Sequence, residues 1–372
     1  MTTGSLTDYR LYDISTRQQV YTEGVKEELN EESDKAFLAL SLLLSSVLGR
    51  VKYKTLGELS RSELNKLLSS ISEIHGRFYS KYTDSLMAKL KDFMGVDLEV
   101  SRKVYAVAHK EIAAPDGEEQ IKIQSDNESI KYIIKENKGS GITAALGISA
   151  VTGADDRLWS AIRSAPLPAT GSNIIQFVKS FAESAQASVE NGVRKAWANG
   201  DEVSQAITDI TSTEAVQGTS STMQRIAVQA TAVQATAVQH VSAITTSAVQ
   251  SALFEWYTWH SVIDSRTTEI CQSRNLKRYK YGEGPLPPAH VRCRSHIAPS
   301  TKSDTVKAES FFDWIKRQPD MIQDDILGKS GGEALRSGKT KPEDLQKYSG
   351  KNALTLEEFR KKTNYILIKD GE

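Results

Sequence analysis

The sequence predicts a mostly α-helical protein: an elongated N-terminal helical region, then a small α+β core module, then a short-helix C-terminal tail. Three observations carry this. Apolar residues recur at helical spacing through most of the first 255 positions. At Trp256 the composition changes to aromatics, prolines, cysteines and histidines. Beyond residue 299, glycine and proline interrupt the helical pattern at short intervals. The expected division is 1–135 (N-terminal helices), 136–255 (a helical middle region with an Ala/Val/Thr-rich helix), 256–298 (the core module) and 299–372 (the tail), within the two or three domains that 372 residues suggest.

The first helix is expected over 17–48, acidic in its first half and apolar in its second, with Gly49 as its stop. A second, over 56–94, carries Leu64, Leu67, Leu68, Ile71, Ile74, Phe78, Tyr82, Leu86, Leu90 and Phe93 at helical spacing. Ser60 and Glu63 form a capping box at its start, and the pattern continues weakly over 98–113. Residues 114–137 read as a loop or short hairpin. The glycine cluster after 138 has no Gly-x-Gly-x-x-Gly and no Gly-Lys-Ser/Thr ending, which disfavours a phosphate-cradling loop. Pro166 and Pro168 end a helix holding Trp159 and Ile162; Thr170 or Ser172 then caps an amphipathic helix over 174–198, and Asp201 opens a shorter one. Residues 221–255 repeat AVQAT. That period of five makes no clean stripe, so this Val- and Thr-rich segment is expected as a buried helix held by tertiary or intersubunit contacts.

Formal charge is balanced, 47 positive against 47 negative, which argues against a broad cationic surface for nucleic acid. Two cysteines do not make a disulfide framework and suggest a reducing compartment such as the cytoplasm. The N-terminus shows no signal-peptide pattern, and the most apolar run, Ala36–Val47, is shorter than the roughly 20 residues that cross a bilayer.

Chemistry concentrates in 256–298. Both cysteines and three of the six histidines lie there. Cys271, His290 and Cys293 have donor types and spacing that suit zinc, with His296 or His260 available as a fourth ligand. Buried free cysteines and a disulfide are the competing readings. Asp264 and Arg266, two apart, can share a partner on a turn, or form a solvated polar turn. The loop with Arg274, Lys277, Arg278 and Lys280 is a candidate nucleic-acid contact, although one basic loop in a neutral chain is more often a solvated face. Cys271 with His290 is conceivable as nucleophile and base, but no complete catalytic arrangement emerges and no enzymatic activity is expected. In the tail, breakers at Pro319, Gly328, Gly331–Gly332 and Gly338 divide short helices, and KPEDLQKY and TLEEFRKK start two more. Helices this short are expected to wrap onto the module before them.

Trp259, Asp264, Arg266, Cys271, Pro287, Pro288, His290, Cys293 and Arg294 together resemble the core motif of the tailed-phage head morphogenesis proteins, the Mu gpF-like and SPP1 gp7-like minor head proteins. The likeness covers about 155–360, including PLPATG before an amphipathic helix and the FFDWIKRQPDMIQ tail. It implies a minor structural protein of the capsid at the portal vertex, acting in head morphogenesis or in DNA packaging and delivery. The implied partners are the portal protein, the major capsid or scaffolding protein and packaged DNA. It also implies a structural role for Trp259, Asp264, Arg266, Pro287, Pro288, His290 and Arg294. Thr268 and Ser295 stand where the family pattern often has cysteines. Either zinc is lost and packing keeps the fold, the reading favoured here, or histidines replace the missing thiolates. Rival functions are an internal DNA-binding virion protein and a metal-dependent nuclease or toxin-type enzyme delivered with the genome.

Overall fold

The computed structural model describes residues 3–113, 155–213, 220–262, 267–300 and 311–339. Its order is α1 (Thr3–Leu48), a 3₁₀ turn (Leu56–Glu58), α2 (Arg61–Ala113), α3 (Asp155–Ser164), α4 (Ile174–Asn199), α5 (Val203–Thr211), α6 (Thr222–Leu253), β1 (Trp256–His260), α7 (Glu269–Arg274), β2 (Arg278–Lys280), β3 (His296–Ser300), α8 (Phe311–Lys316), α9 (Asp320–Leu327) and α10 (Lys329–Arg336). The described residues are mostly helical, 74% of them, with one small antiparallel sheet and short C-terminal helices. Among the described residues no helix is long and apolar enough to cross a membrane.

Several boundaries differ from those expected. α1 begins at Thr3, ahead of residue 17; the polar side chains Ser15, Thr16, Arg17, Gln18, Gln19 and Thr22 are buried, which a pattern of apolar residues does not register. α2 runs unbroken to Ala113, with Val104, Tyr105 and Ala108 buried. The Ser60–Glu63 box forms as expected, Ser60 N donating to Glu63 at 2.9 Å. The cap of α4 is Asn173, whose side chain accepts from Gln176 N. Gly200, at φ 72°, ends that helix in the left-handed region, and α5 starts at Val203 after Glu202. Trp256, Tyr257 and Trp259 form a strand, the bulk at 256 marking the change from helix to sheet. Gly331 and Gly332 lie inside α10; a Cβ on Gly332 would sit 2.0 Å from Asp324 Oδ1, so the glycine serves close packing of α9 on α10. The expected hairpin at 114–137, most of the 138–154 glycine cluster and the last two tail helices fall outside the described residues.

Two compact units divide the chain, Met1–Glu27 with Leu90–Gly171 and Thr236–Glu372, and Glu28–Lys89 with Ser172–Ala235. The second unit is built on an aromatic cluster. Phe37 of α1 lies 5.3 Å from Phe78 and 5.5 Å from Tyr82 of α2, and 6.3 Å from Phe181 of α4, in tilted and edge-on arrangements that such rings favour. The 3₁₀ turn closes on the α4–α5 corner: Leu56 N donates to Asp201 O and Val203 N to Lys54 O. Gly57 is required there, since a Cβ would come within 2.9 Å of Gly200 Cα.

The first unit is held by polar helices. Every residue from Thr236 to Gln250 of α6 is buried except half-buried Ile244, although the segment carries Thr, Gln, Ser and His. Its partners come from α1: Thr22 with Ser242 at 3.2 Å and Gln19 with Gln239 at 3.1 Å. Gln18 donates to the buried Asp97 of α2 at 2.6 Å and accepts from Tyr105 at 3.1 Å. The tail docks on α1, where the module had been expected to receive it. Buried Arg17 bonds Asp13 (2.8 Å) and Gln318 (2.5 Å), and Trp314 donates its indole N–H to Asp13 at 2.6 Å.

Burial of neutral histidines makes stability depend on pH. Desolvation lowers His75 and His240 to about 4 and His296 to about 3, and His260, also facing His296, well below the ordinary value. For each, the unfolded chain takes up a proton from about pH 6.5 downward while the folded chain refuses it, so stability present above 6.5 is lost on acidification. Asp97 opposes this: burial raises it to about 7, so the folded chain holds its proton where the unfolded one releases it, and that contribution is lost as pH rises from about 4 to 7. Four histidines outweigh one carboxyl. Thermal melts should show the transition temperature falling from pH 7 to pH 5, most steeply below about pH 6.5, where the histidines of the unfolded chain take up protons. Asp97→Asn should gain more stability at pH 8 than at pH 5. A melting temperature flat across this range would contradict the account.

Candidate metal centre

The module 256–298 is a three-stranded sheet of order β2-β1-β3 with α7 against one face. β1 pairs with β3 in a register that sets Trp259 opposite Ile297 and His260 opposite His296. Because side chains alternate across a strand, Tyr257, Trp259 and Ile297 share one face and His260 and His296 the other. The first face packs on Cys271 and Cys293. On the second, Tyr12 of α1 lies 4.3 Å from His260 and 6.1 Å from His296, the two imidazoles being 5.5 Å apart. The strand pairing therefore removes His260 and His296 from the sulfur cluster. Neither is its fourth ligand.

Three backbone devices bring the donors together. Cys271 is the third residue of α7, fixed by Asn275 N donating to its carbonyl at 3.0 Å. A turn closed by Cys293 N to His290 O at 3.1 Å sets His290 beside Cys293. Within that turn Arg292 has φ 61°, and its N–H donates to Thr236 of α6 at 3.0 Å. Pro287 and Pro288, joined by a cis peptide and both buried, lead into it.

Ser261 connects the donors to the core. Its hydroxyl accepts from the Trp259 indole N–H at 2.9 Å and donates to Cys271 O at 2.9 Å, and its N–H donates to Asn275 Oδ1 at 2.9 Å. Ser295 stands 3.0 Å from Ser261 and donates to Cys271 Sγ at 3.3 Å. The role of Ser261 is not visible in the sequence, since a serine there carries no ligand signal; Ser295 is marked only by standing where the resembled pattern often has a cysteine.

Cys271, His290 and Cys293 place their ligand atoms within 4.8 Å of one another. The sulfurs are 3.7 Å apart, and His290 Nε2 is 3.2 Å from Cys271 Sγ. Two bonds of about 2.3 Å at a tetrahedral metal put thiolates about 3.8 Å apart, so the observed spacing suits zinc. His290 Nδ1 lies 2.8 Å from Val291 O, which makes it a protonated nitrogen; Nε2 faces the sulfurs, where it donates to the Cys293 thiolate in the imidazolium and offers a lone pair to a metal when neutral. Cys293 is the sulfur whose pKa is lowered: the Cys271 S–H, then His290, then the N–H groups of Ser295 and Ala289 lower it against the cost of burial. Cys271 is raised, chiefly because it donates to Cys293 and is buried. His290 is raised by the same sulfur. The cluster can bind a metal such as zinc. Thr268 and Ser295 both lie at the Cys271 sulfur, with Thr268 Oγ1 buried and lacking a hydrogen-bond partner of standard geometry.

The remaining candidates are distributed as follows. Asp264 and Arg266 lie outside the described residues. Arg274 stacks over Trp259 at 5.2 Å and Arg278 over Trp256 at 5.8 Å, while Lys280 faces Glu255 and Glu283 at 3.7 and 3.9 Å. Lys277 is exposed and Arg294 half-buried. The basic stretch thus includes β2, and its arginines serve the module's own packing.

Comparison with protein-family models, curated proteins and solved structures finds no match to the chain.

Packing of the module is tightest at Gly284, where a Cβ would lie 2.3 Å from both Tyr257 Oη and Tyr279 Cβ. Tyr257 cannot retreat, because its hydroxyl donates to Pro285 O at 2.7 Å. Gly284→Ala should therefore destabilise the protein by about 1–3 kcal/mol in denaturant titrations.

Proposed function

We propose that this protein is a minor structural protein of a tailed-phage capsid, associated with the portal vertex and acting in head morphogenesis or in DNA packaging and delivery. It works through binding surfaces, with the portal protein, the major capsid or scaffolding protein and packaged DNA as partners, and it resides in the virion. One observation carries the reading. Trp259, Cys271, Pro287, Pro288 and Cys293, which bear the resemblance, are all buried in a single packed module, as a structural motif requires and a chance string match does not. The test is location. Pull-down of the portal protein from procapsids should retain this chain, and intact procapsids should shield it from added protease. Recovery only in the unassembled pool would overturn the reading.

Within that role the cluster of Cys271, His290 and Cys293 holds one zinc as a staple between α7 and the turn before β3. The metal would supply cross-linking of two segments that otherwise meet through hydrogen bonds and packing. The motif's missing thiolates favour loss of metal; the sulfur spacing and the imidazole tautomer favour retention. Elemental analysis of purified protein should give about one equivalent of zinc, lost in Cys293→Ser, and a chelator should lower the melting temperature by several degrees. Metal-free protein of unchanged stability would remove the staple.

The three-ligand set also supports a second reading, a metal-dependent nuclease or toxin-type enzyme, because catalytic zinc sites keep three protein ligands and one open position. Turnover of DNA or RNA by zinc-loaded protein, abolished in His290→Ala, would establish it over the structural reading.

A further inference from the structure

Cys271 and Cys293 are both free and buried, and their sulfurs meet at 3.7 Å. The chain has no other cysteine to compete for either. They belong to segments 22 residues apart in sequence, α7 and the turn before β3. Each segment is fixed by its own bonds: Asn275 N to Cys271 O at 3.0 Å, Cys293 N to His290 O at 3.1 Å, and Arg292 N to Thr236 at 3.0 Å. The fold therefore holds the sulfurs in contact with no bond between them, and the chain entropy that their meeting costs is already lost on folding. The residues flanking them reach solvent. Ile270, Gln272, Val291 and Arg292 are exposed, and His290 is half-buried.

We propose that Cys271 and Cys293 form a reversible disulfide, which joins the same two segments as the zinc staple and replaces it under oxidation. The oxidant is a small disulfide such as oxidised glutathione. The thiolate of one cysteine attacks a glutathione sulfur, and the first glutathione leaves as its thiolate. The second cysteine sulfur then attacks the mixed disulfide and displaces the other glutathione. Two protein thiols are oxidised, one glutathione disulfide is reduced, and the two protons end on the glutathione thiols. Closure takes the sulfurs from 3.7 Å to the roughly 2.0 Å of a disulfide, a movement shared by two side-chain rotations. Little polar pairing is given up. Ser295 keeps Ser261 at 3.0 Å, and His290 keeps Val291 O at 2.8 Å. Zinc binds thiolates, which the disulfide consumes, so metal and disulfide exclude each other. That exclusion rests on the zinc reading above; the disulfide does not.

Chelator-treated full chain should be equilibrated in glutathione redox buffers from both the reduced and the oxidised side, then quenched, alkylated and weighed by mass spectrometry. The expected product is a monomeric chain with both thiols lost and no glutathione bound, with Cys271 joined to Cys293 in peptide maps. Its equilibrium should lie about tenfold or more further toward the disulfide than that of the same chain unfolded in urea, because contact raises the effective concentration. Circular dichroism should be the same before and after oxidation. Zinc added to the reduced chain should shift the equilibrium about tenfold or more back toward the thiols. A pair that closes no more readily in the fold than in urea, glutathione retained on either cysteine, links between chains, or loss of fold on oxidation overturns the proposal. A disulfide that forms regardless of zinc overturns the exclusion and the staple, and leaves the disulfide itself established.

Discussion

The amide of Gln239 is where the first unit is tied together. Its oxygen accepts from Gln19 at 3.1 Å and from Lys26 at 2.7 Å; its nitrogen donates to Gln19 at 3.1 Å and to Ser295 O at 3.0 Å. Two donors and two lone pairs are a primary amide's full capacity. One side chain therefore joins α1, α6 and the backbone beside the Cys271–His290–Cys293 cluster, and it does so where an unpaired polar atom would cost about 1–3 kcal/mol. Lys26, 5% exposed, is tolerable only because Gln239 and Glu23, at 2.6 Å, take its charge.

This constraint explains why α6 forms at all. Its Val and Thr content gives weak intrinsic preference, and its five-residue repeat gives no stripe. Burial on all sides removes the need for a stripe, and small residues let the neighbouring helices approach closely. The polar ones then become a pairing code. Thr22 finds Ser242, Gln19 finds Gln239, and Thr236 caps the N–H of Arg292 in the turn carrying His290 and Cys293. The turn's left-handed residue is thereby held from the helix beside it, so the ligand geometry is set partly outside the module.

Inside the module the same economy recurs at smaller scale. Trp259 is fully buried, its indole N–H satisfied by Ser261, which also fixes the carbonyl of Cys271. A serine thus couples the largest apolar side chain to one of the candidate metal ligands. Thr268 and Ser295 in turn place hydroxyls at the Cys271 sulfur.

Periodicity and capping chemistry were legible without coordinates: α1 from residue 17, most of α2, the Ser60–Glu63 box, α4, α6 and the breaks at Pro319 and Gly328 all follow from local rules. So were the three donors Cys271, His290 and Cys293, because residue type and spacing alone limit which groups can share a metal. Tertiary structure alone decided what the polar residues do. Local sequence does not say whether a glutamine or histidine faces water or another helix, and so could not separate His290, whose Nε2 meets a sulfur, from His260 and His296, turned to the other face by a strand's alternation. It likewise could not place Asp97, Arg17 or Gln239 in the interior. Their partners lie up to about three hundred residues away, and only the packed chain brings them within hydrogen-bond reach.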